Sequence, residues 1–229
     1  MTLVLAVKGD DFLILAGDSR AHYSKTGYYQ DSMQKVFKYN DKLLVGGLGS
    51  EMFIRNLDYH FSQQLISEKC KQSMTFEEMM NRFEVTAVKE WKRFTALSTN
   101  DRKQAGFLIL GFDSDEIPQI FEVFSENSFA PCVYTLSKVA FLGTDSIVTT
   151  FGEDLLQHAK CVEDYKLAMT YMLWKTASRF STVGIENIKM IVGQRNAPFL
   201  SIESNEIDEM IGECEKIDKS FWKNFYIKI

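Results

Sequence analysis

A chain of 229 residues, 45% of them hydrophobic, is long enough to bury one large core without disulfide staples. Its formal net charge of -5 comes without any clustered Lys/Arg stretch, which excludes a polyanion-binding surface and makes nucleic acid an unexpected partner. The amino terminus lacks the basic and long apolar regions of a secretory signal, and no run approaches the roughly 18 apolar residues of a membrane span; a cytoplasmic protein with no membrane partner is expected.

The chain opens with an apolar run over residues 3–7, a polar turn at Gly9-Asp10-Asp11, and a second apolar run over 12–16 that ends in Gly17-Asp18-Ser19-Arg20. This pattern predicts a hairpin. Lys35 opens a third run, Asn40-Asp41 turns it, and residues 42–45 lead into Gly46-Gly47-Leu48-Gly49. Ile54, Leu57, Phe61 and Leu65 recur at helical spacing and predict a helix over about 50–67. Thr75 and Glu78 form a capping box for a second helix, whose apolar face runs from Phe76 through Trp91 to about Phe94.

Strands are predicted over 105–111 and 119–124, with Pro118 at the start of the latter, then over 133–136 and 138–142. A helix carrying Ile147, Phe151, Leu155 and Leu156 follows, and after it a helix over 163–180 that is apolar around much of its circumference. A final hairpin spans 188–192 and 199–202, a short helix holds Ile207, Met210, Ile211 and Cys214, and the tail from Phe221-Trp222 onward is aromatic. Strands and helices come in separate blocks with no long linker or repeat. That order favours packed antiparallel sheets flanked by helix pairs, in one domain over 1–229, rather than an alternating parallel fold.

Cys70, Cys132, Cys161 and Cys214 include no C-x-x-C pair and read as buried free thiols. His22, His60 and His158 lie too far apart for a local metal motif, and the two later ones fall in predicted helices as partly exposed structural residues. No metal or cofactor is expected.

The chemistry centres on Thr2. A small residue after the initiator methionine generally permits removal of Met1, leaving Thr2 with a hydroxyl nucleophile and, in the same residue, an α-amine of unperturbed pKa about 7.7–8.0 that serves as general base. A nearby lysine favours the neutral amine and stabilises a developing alkoxide, provided that a carboxylate orients it; Asp18 and Lys35 are suited to those places. The Gly49 N–H, at the head of the predicted helix, suits a developing oxyanion. Taken singly, each has an ordinary structural explanation as a strand residue, turn cap, solvated cation or packing glycine.

Taken together, the segments beginning at Thr2, Ala16-Gly17-Asp18-Ser19-Arg20, Gln34-Lys35-Val36 and Gly46-Gly47-Leu48-Gly49 resemble the β-type subunits of proteasomes and the related ATP-dependent bacterial peptidase. These belong to the N-terminal nucleophile hydrolases. Residues 39–42 and the short stretch before Thr2 are more similar to the bacterial branch. The resemblance implies an α+β fold, a four-layer αββα sandwich of two antiparallel sheets flanked by helices. It implies Thr2 as nucleophile, Asp18 and Lys35 as the supporting pair and Gly49 as the oxyanion residue, with Thr144 and Ser181 in supporting positions. An aspartate that the family often carries three residues before Ser181 is replaced by Ser178.

The resemblance also implies substrate contacts at Ala21, Met33, Gly47, Glu51 and Arg55. Glycine at 47 implies a pocket open to large side chains, with Glu51 and Arg55 lining it by opposite charges. The implied activity is that of a threonine-type endopeptidase acting on polypeptide in a homo-oligomeric ring, with a possible ATPase unfoldase as partner. A catalytically silent structural subunit and an amidase acting on small amides are the alternatives.

Overall fold

The computed structural model describes residues 2–23, 28–67, 74–97, 104–130, 132–133, 138–143, 152 and 154–226. The predicted first hairpin is β1 (Leu3–Lys8) and β2 (Phe12–Gly17), with Val4 opposite Gly17 and Lys8 opposite Leu13. Both strands are apolar at nearly every position because both of their faces are covered. Leu3, Leu5 and Val7 face a helix layer, while Val4 and Ala6 face a second sheet.

A short hairpin of β3 (Ala21–Tyr23) and β4 (Tyr28–Gln30), absent from the sequence reading, comes next. Three-residue strands are too short to set up a readable alternation. Then β5 (Val36–Tyr39) and β6 (Leu43–Leu48) pair across the Asn40 turn, where Asn40 adopts φ 61° and its side chain accepts from the Lys42 N–H at 2.8 Å.

Helices α1 (Glu51–Ser67) and α2 (Phe76–Leu97) follow. The capping box of α2 is formed reciprocally, Thr75 N–H to Glu78 Oε2 at 3.0 Å and Glu78 N–H to Thr75 Oγ1 at 3.2 Å. Strand β7 (Gly106–Phe112) pairs with β6 and with β8 (Pro118–Phe124), and β9 (Cys132–Val133) pairs with β8. Residues 134–136 of the predicted third strand lie outside the described residues.

Strand β10 (Val139–Gly143) pairs antiparallel with β1. Of the predicted helix around residue 150, Ile147 and Phe151 lie outside the described residues, whereas Leu155 and Leu156 are helical. Helix α3 (Val162–Arg179), β11 (Lys189–Gln194), β12 (Leu200–Ser201) and α4 (Ser204–Tyr226) complete the order.

The result is a four-layer αββα sandwich. One sheet runs β10-β1-β2-β11-β12 and the other β5-β6-β7-β8-β9, with every pairing antiparallel. Between them lies an aliphatic core that includes Val4, Leu15, Val36, Leu44, Leu108 and Leu142. Helices α1 and α2 cover the second sheet through an aromatic cluster in which Phe53 meets Trp91 at 4.9 Å and Phe107 at 6.0 Å between ring centroids. Helices α3 and α4 cover the first sheet through Met169, Leu173, Ile207 and Met210.

Helix α4 is 23 residues long rather than short. Its apolar stripe ends at Cys214, but one turn later Asp218 accepts from Tyr171 Oη at 3.0 Å and Lys175 Nζ at 2.5 Å on α3. Polar clamping to the neighbouring helix thus replaces apolar burial in a segment whose outer face is solvated.

Of the four cysteines, Cys70 and the side chain of Cys132 lie outside what the structure describes. Cys214 is buried and free as expected, whereas Cys161, at the start of α3, is exposed. Burial, and the neighbouring Glu213 carboxylate, push the Cys214 thiol up to about 12. At pH 8 a maleimide should therefore modify Cys161 in the folded protein and leave Cys214 untouched until denaturant is added. Peptide mapping by mass spectrometry checks this, and equal labelling of the two would contradict the buried environment of α4.

Candidate functional site

The site forms where strand ends from both sheets meet. Asp18 follows directly on β2, Lys35 directly precedes β5, Thr2 precedes β1, and Gly49 lies between β6 and α1. Two glycines let the sheets close at this point. A Cβ on Gly17 would stand 2.9 Å from Val36, and one on Gly46 would stand 2.5 Å from Val4. With those positions bare, Val36 packs over the end of β2, and the residue before it arrives beside Asp18.

Lys35 is 2% exposed and Asp18 1%. The ammonium donates to both carboxylate oxygens, at 2.9 and 2.8 Å, and to the Arg20 carbonyl at 2.5 Å. Its pKa is lowered: burial disfavours the cation more strongly than Asp18 and its hydrogen bonds restore it. The same carboxylate accepts from the Leu3 N–H at 2.8 Å, the Arg20 N–H at 3.0 Å and the Gly184 N–H at 3.3 Å. One side chain therefore fixes the lysine, the peptide that follows Thr2, and a loop from the far end of the chain.

Thr2 is half-buried and, by the alternation of β1, shares the inter-sheet face of Val4. Its carbonyl is backed by Gly143, whose φ is +113°; a Cβ there would stand 1.6 Å from the Thr2 oxygen. Gly49 also has a positive φ, +145°, and lies against Ala105 and the Gln104 carbonyl, at 3.1 and 3.2 Å from where its Cβ would stand. Both positions require glycine for backbone conformation as well as space.

Of the other predicted residues, Ser181 is held near the pair by its backbone, since its carbonyl accepts from Arg20 Nη1 at 2.8 Å. Ser178 donates its hydroxyl to the Lys175 carbonyl within α3, at 2.8 Å. Thr144 lies outside the described residues. Ala21 and Met33 are buried in the core beneath α1 and α2, and the Met33 N–H donates to the Ser19 carbonyl at 2.9 Å. Glu51 and Arg55 pair with each other at 2.7 Å on the surface of α1.

At Gly47 a Cβ would stand 3.0 Å from Phe107 and 3.6 Å from Ile54 of α1.

The sequence reading missed the fork that braces this site. Arg20 Nε and Nη2 bind the two Asp31 oxygens at 2.5 and 2.8 Å, and the Asp31 carbonyl accepts from Asn187 Nδ2 at 2.9 Å. Gly184 fits against Arg20 and Asp31 only because it has no Cβ. Arg20 stood in the recognised segment, but nothing local pointed to Asp31 or Gly184 as its partners.

Two substitutions test this frame. Asp18→Ala leaves a buried ammonium unpaired, and thermal or denaturant unfolding should show a loss of about 3–5 kcal/mol. Gly143→Ala should cost about 1–3 kcal/mol for a Cβ forced into that backbone conformation, and more where it meets the Thr2 carbonyl. Wild-type stability in either variant would show that the contact does not hold the site together.

Residues 2–159 match the family model described as Proteasome subunit. A stretch of 69 residues, 30% of this chain, is 32% identical to proteasome subunit beta type-4 of Drosophila melanogaster and spans 25% of that protein's length. In structure, 99% of the chain is similar to 97% of the Gly-1 mutant of Anbu from Hyphomicrobium sp. strain MC1, with a TM-score of 0.72 and 11% identity, a likeness of fold. The match over 2–159 covers more than half of the chain, including the elements that carry Thr2, Asp18, Lys35 and Gly49, so this chain belongs to the proteasome subunit family.

Proposed function

We propose that this protein is a threonine-type peptidase that cleaves polypeptides with Thr2, exposed as the first residue once Met1 is removed. The observation that carries the reading is the bridging by Asp18, which holds the Leu3 N–H at 2.8 Å and the Lys35 ammonium at 2.8 Å with one buried carboxylate. A purely structural sandwich gains little from a buried cation at this spot, because desolvation offsets much of the pair's attraction.

In the reaction, Thr2 Oγ attacks the scissile carbonyl carbon while its proton passes to the α-amine of the same residue. The Lys35 ammonium stabilises the developing alkoxide, and the carbonyl electron pair moves to an oxyanion held by the Gly49 N–H. Collapse of that intermediate breaks the C–N bond, the ammonium of Thr2 protonates the departing amine, and an ester on Thr2 remains. Water, deprotonated by the same amine, then hydrolyses the ester. Ser181 and Thr144 are supporting residues in this scheme, and subunits assemble in a homo-oligomeric ring.

A silent structural subunit is the second reading. It is favoured by the engagement of Ser178, at the position of the family aspartate, with its own helix. An epoxyketone separates the two, because its morpholine adduct needs both the hydroxyl and the free amine of one residue. Intact mass should show that adduct on chains lacking Met1 and none on chains retaining it; full peptidase activity with Met1 on every chain would refute the mechanism.

Thr2→Ala should abolish turnover, Thr2→Ser should retain part of it, and Lys35→Ala should lower kcat by roughly a hundredfold or more. The pH profile of kcat/KM should be bell-shaped. Its acid limb follows the α-amine, which the neighbouring lysine keeps neutral to below its ordinary value of about 7.7–8.0. Its alkaline limb falls below the usual lysine value of 10.5, because burial makes Lys35 give up its proton earlier. An alkaline limb that persists unchanged in Lys35→Ala would remove the lysine from this role.

A further inference from the structure

The backbone of Arg20 is fixed by the charge pair at the centre of the site. Its N–H donates to Asp18 Oδ2 at 3.0 Å, and its carbonyl accepts from the Lys35 ammonium at 2.5 Å. The side chain reaches elsewhere. Nε and Nη2 take the two Asp31 oxygens and Nη1 takes the Ser181 carbonyl, a use of several donors in one rigid plane that a lysine cannot reproduce. Asp31 is kept in reach because the Met33 N–H, two residues on, donates to the carbonyl of Ser19, at 2.9 Å.

The segment 181–187, which joins α3 to β11, is seated on this fork at both ends and in the middle. Its Ser181 carbonyl binds Arg20 at 2.8 Å, Asn187 Nδ2 binds the Asp31 carbonyl at 2.9 Å, and between them the Gly184 N–H binds Asp18 Oδ2 at 3.3 Å. Gly184 lies flat against the fork: a Cβ there would stand 2.5 Å from Asp31 Oδ1 and 2.9 Å from the Arg20 Cβ.

The seat bears on the lysine through one oxygen. Asp18 Oδ2 accepts from the Lys35 ammonium at 2.8 Å as well as from the Gly184 N–H, so the loop backbone and the buried cation share an acceptor. Burial is the leading cause of the lowered Lys35 pKa; the Asp18 and Asp31 charges act against it and the Arg20 charge acts with it. The carboxylates acting on Arg20 are Asp31, Glu186 and Asp18.

We propose that Arg20 and Asp31 are positioning residues for the reaction, because their fork seats the 181–187 loop against the Asp18–Lys35 pair and keeps water from the lysine. The assignment rests on the threonine-peptidase reading above. Two variants test it in protein lacking Met1. Asn187→Ala releases the far end of the loop at an exposed position without changing any charge, and Asp31→Ala removes the acceptor of the fork. Lys35 is titrated through its Cε NMR signal in protein carrying isotope-labelled lysine, assigned by its loss in Lys35→Ala, and through the alkaline limb of kcat/KM.

Both variants should let water reach the pair, so Lys35 should titrate at higher pH than in the wild type, toward the usual 10.5, while kcat falls about tenfold and KM is unchanged. The sign in Asp31→Ala is decisive, since loss of that carboxylate's charge alone would move Lys35 down. A downward move there, or a Lys35 titration unchanged in Asn187→Ala, overturns the assignment, and lower thermal stability without a change at Lys35 makes the fork structural only. Each preparation is also treated with a peptide epoxyketone. Adduct and hydrolysis in the wild type keep the peptidase reading whatever the variants do; absence of both overturns that reading and the positioning role with it.

Discussion

The Asp18–Lys35 pair is the constraint on which the rest of this structure depends. A lysine at 2% exposure is costly to bury as a cation, and it is tolerated because its hydrogen bonds are supplied by a carboxylate and a backbone carbonyl. The carboxylate has capacity left over, and it spends it on three backbone N–H groups from three parts of the chain. Segments 2–3, 18–20, 35 and 184 are thereby held in register by one charge pair. A hydrophobic pair of the same volume would fill the space but would carry no such directional hold.

That pair sits where it does because the two sheets are allowed to approach. Gly17 and Gly46 leave room for Val36 and Val4, and the inter-sheet core is made of aliphatic side chains that interdigitate at this spacing. The outer faces solve their burial differently. The second sheet uses aromatic rings packed at tilted and edge-on angles beneath α1 and α2, while the first uses methionine and leucine beneath α3 and α4 and adds ionic clamps, Lys166–Glu206 and Lys175–Asp218, between its helices. No helix among the described residues is long and apolar enough to cross a membrane.

The proposed chemistry needs unlike environments at one end of the sandwich. A nucleophile needs exposure, and Thr2 is half-buried just before β1; an activating lysine needs desolvation, and Lys35, just before β5, is buried. The Asp18 carboxylate joins the two, because it accepts from the Leu3 N–H and from the Lys35 ammonium. The glycines at 49 and 143 bring backbone close to that point in conformations that other residues rarely adopt.

Much of this was legible in the sequence, and what was not has a common cause. The first hairpin, α1, the capping box of α2, the near-continuous burial of α3 and the intervals separating Thr2, Asp18, Lys35 and Gly49 are local patterns of hydrophobicity, turn residues and spacing, which a chain displays before it folds. Segregated strand and helix blocks were enough to favour stacked antiparallel sheets. Other features are pairings between residues distant in sequence. The Arg20 guanidinium reaches the Ser181 carbonyl across 161 positions, the Asp18 carboxylate reaches the Gly184 N–H across 166, and α4 is extended by an aspartate bonded to α3. Gly47 is the clearest case: its lack of a side chain was visible at once, but the Phe107 ring and Ile54 of α1 beside it were not. The sequence by itself determined which residues could do chemistry and the strands that carry them; only the tertiary structure decided which space beside them is filled and which is open, because packing between elements has no signature in the order of residues along either one.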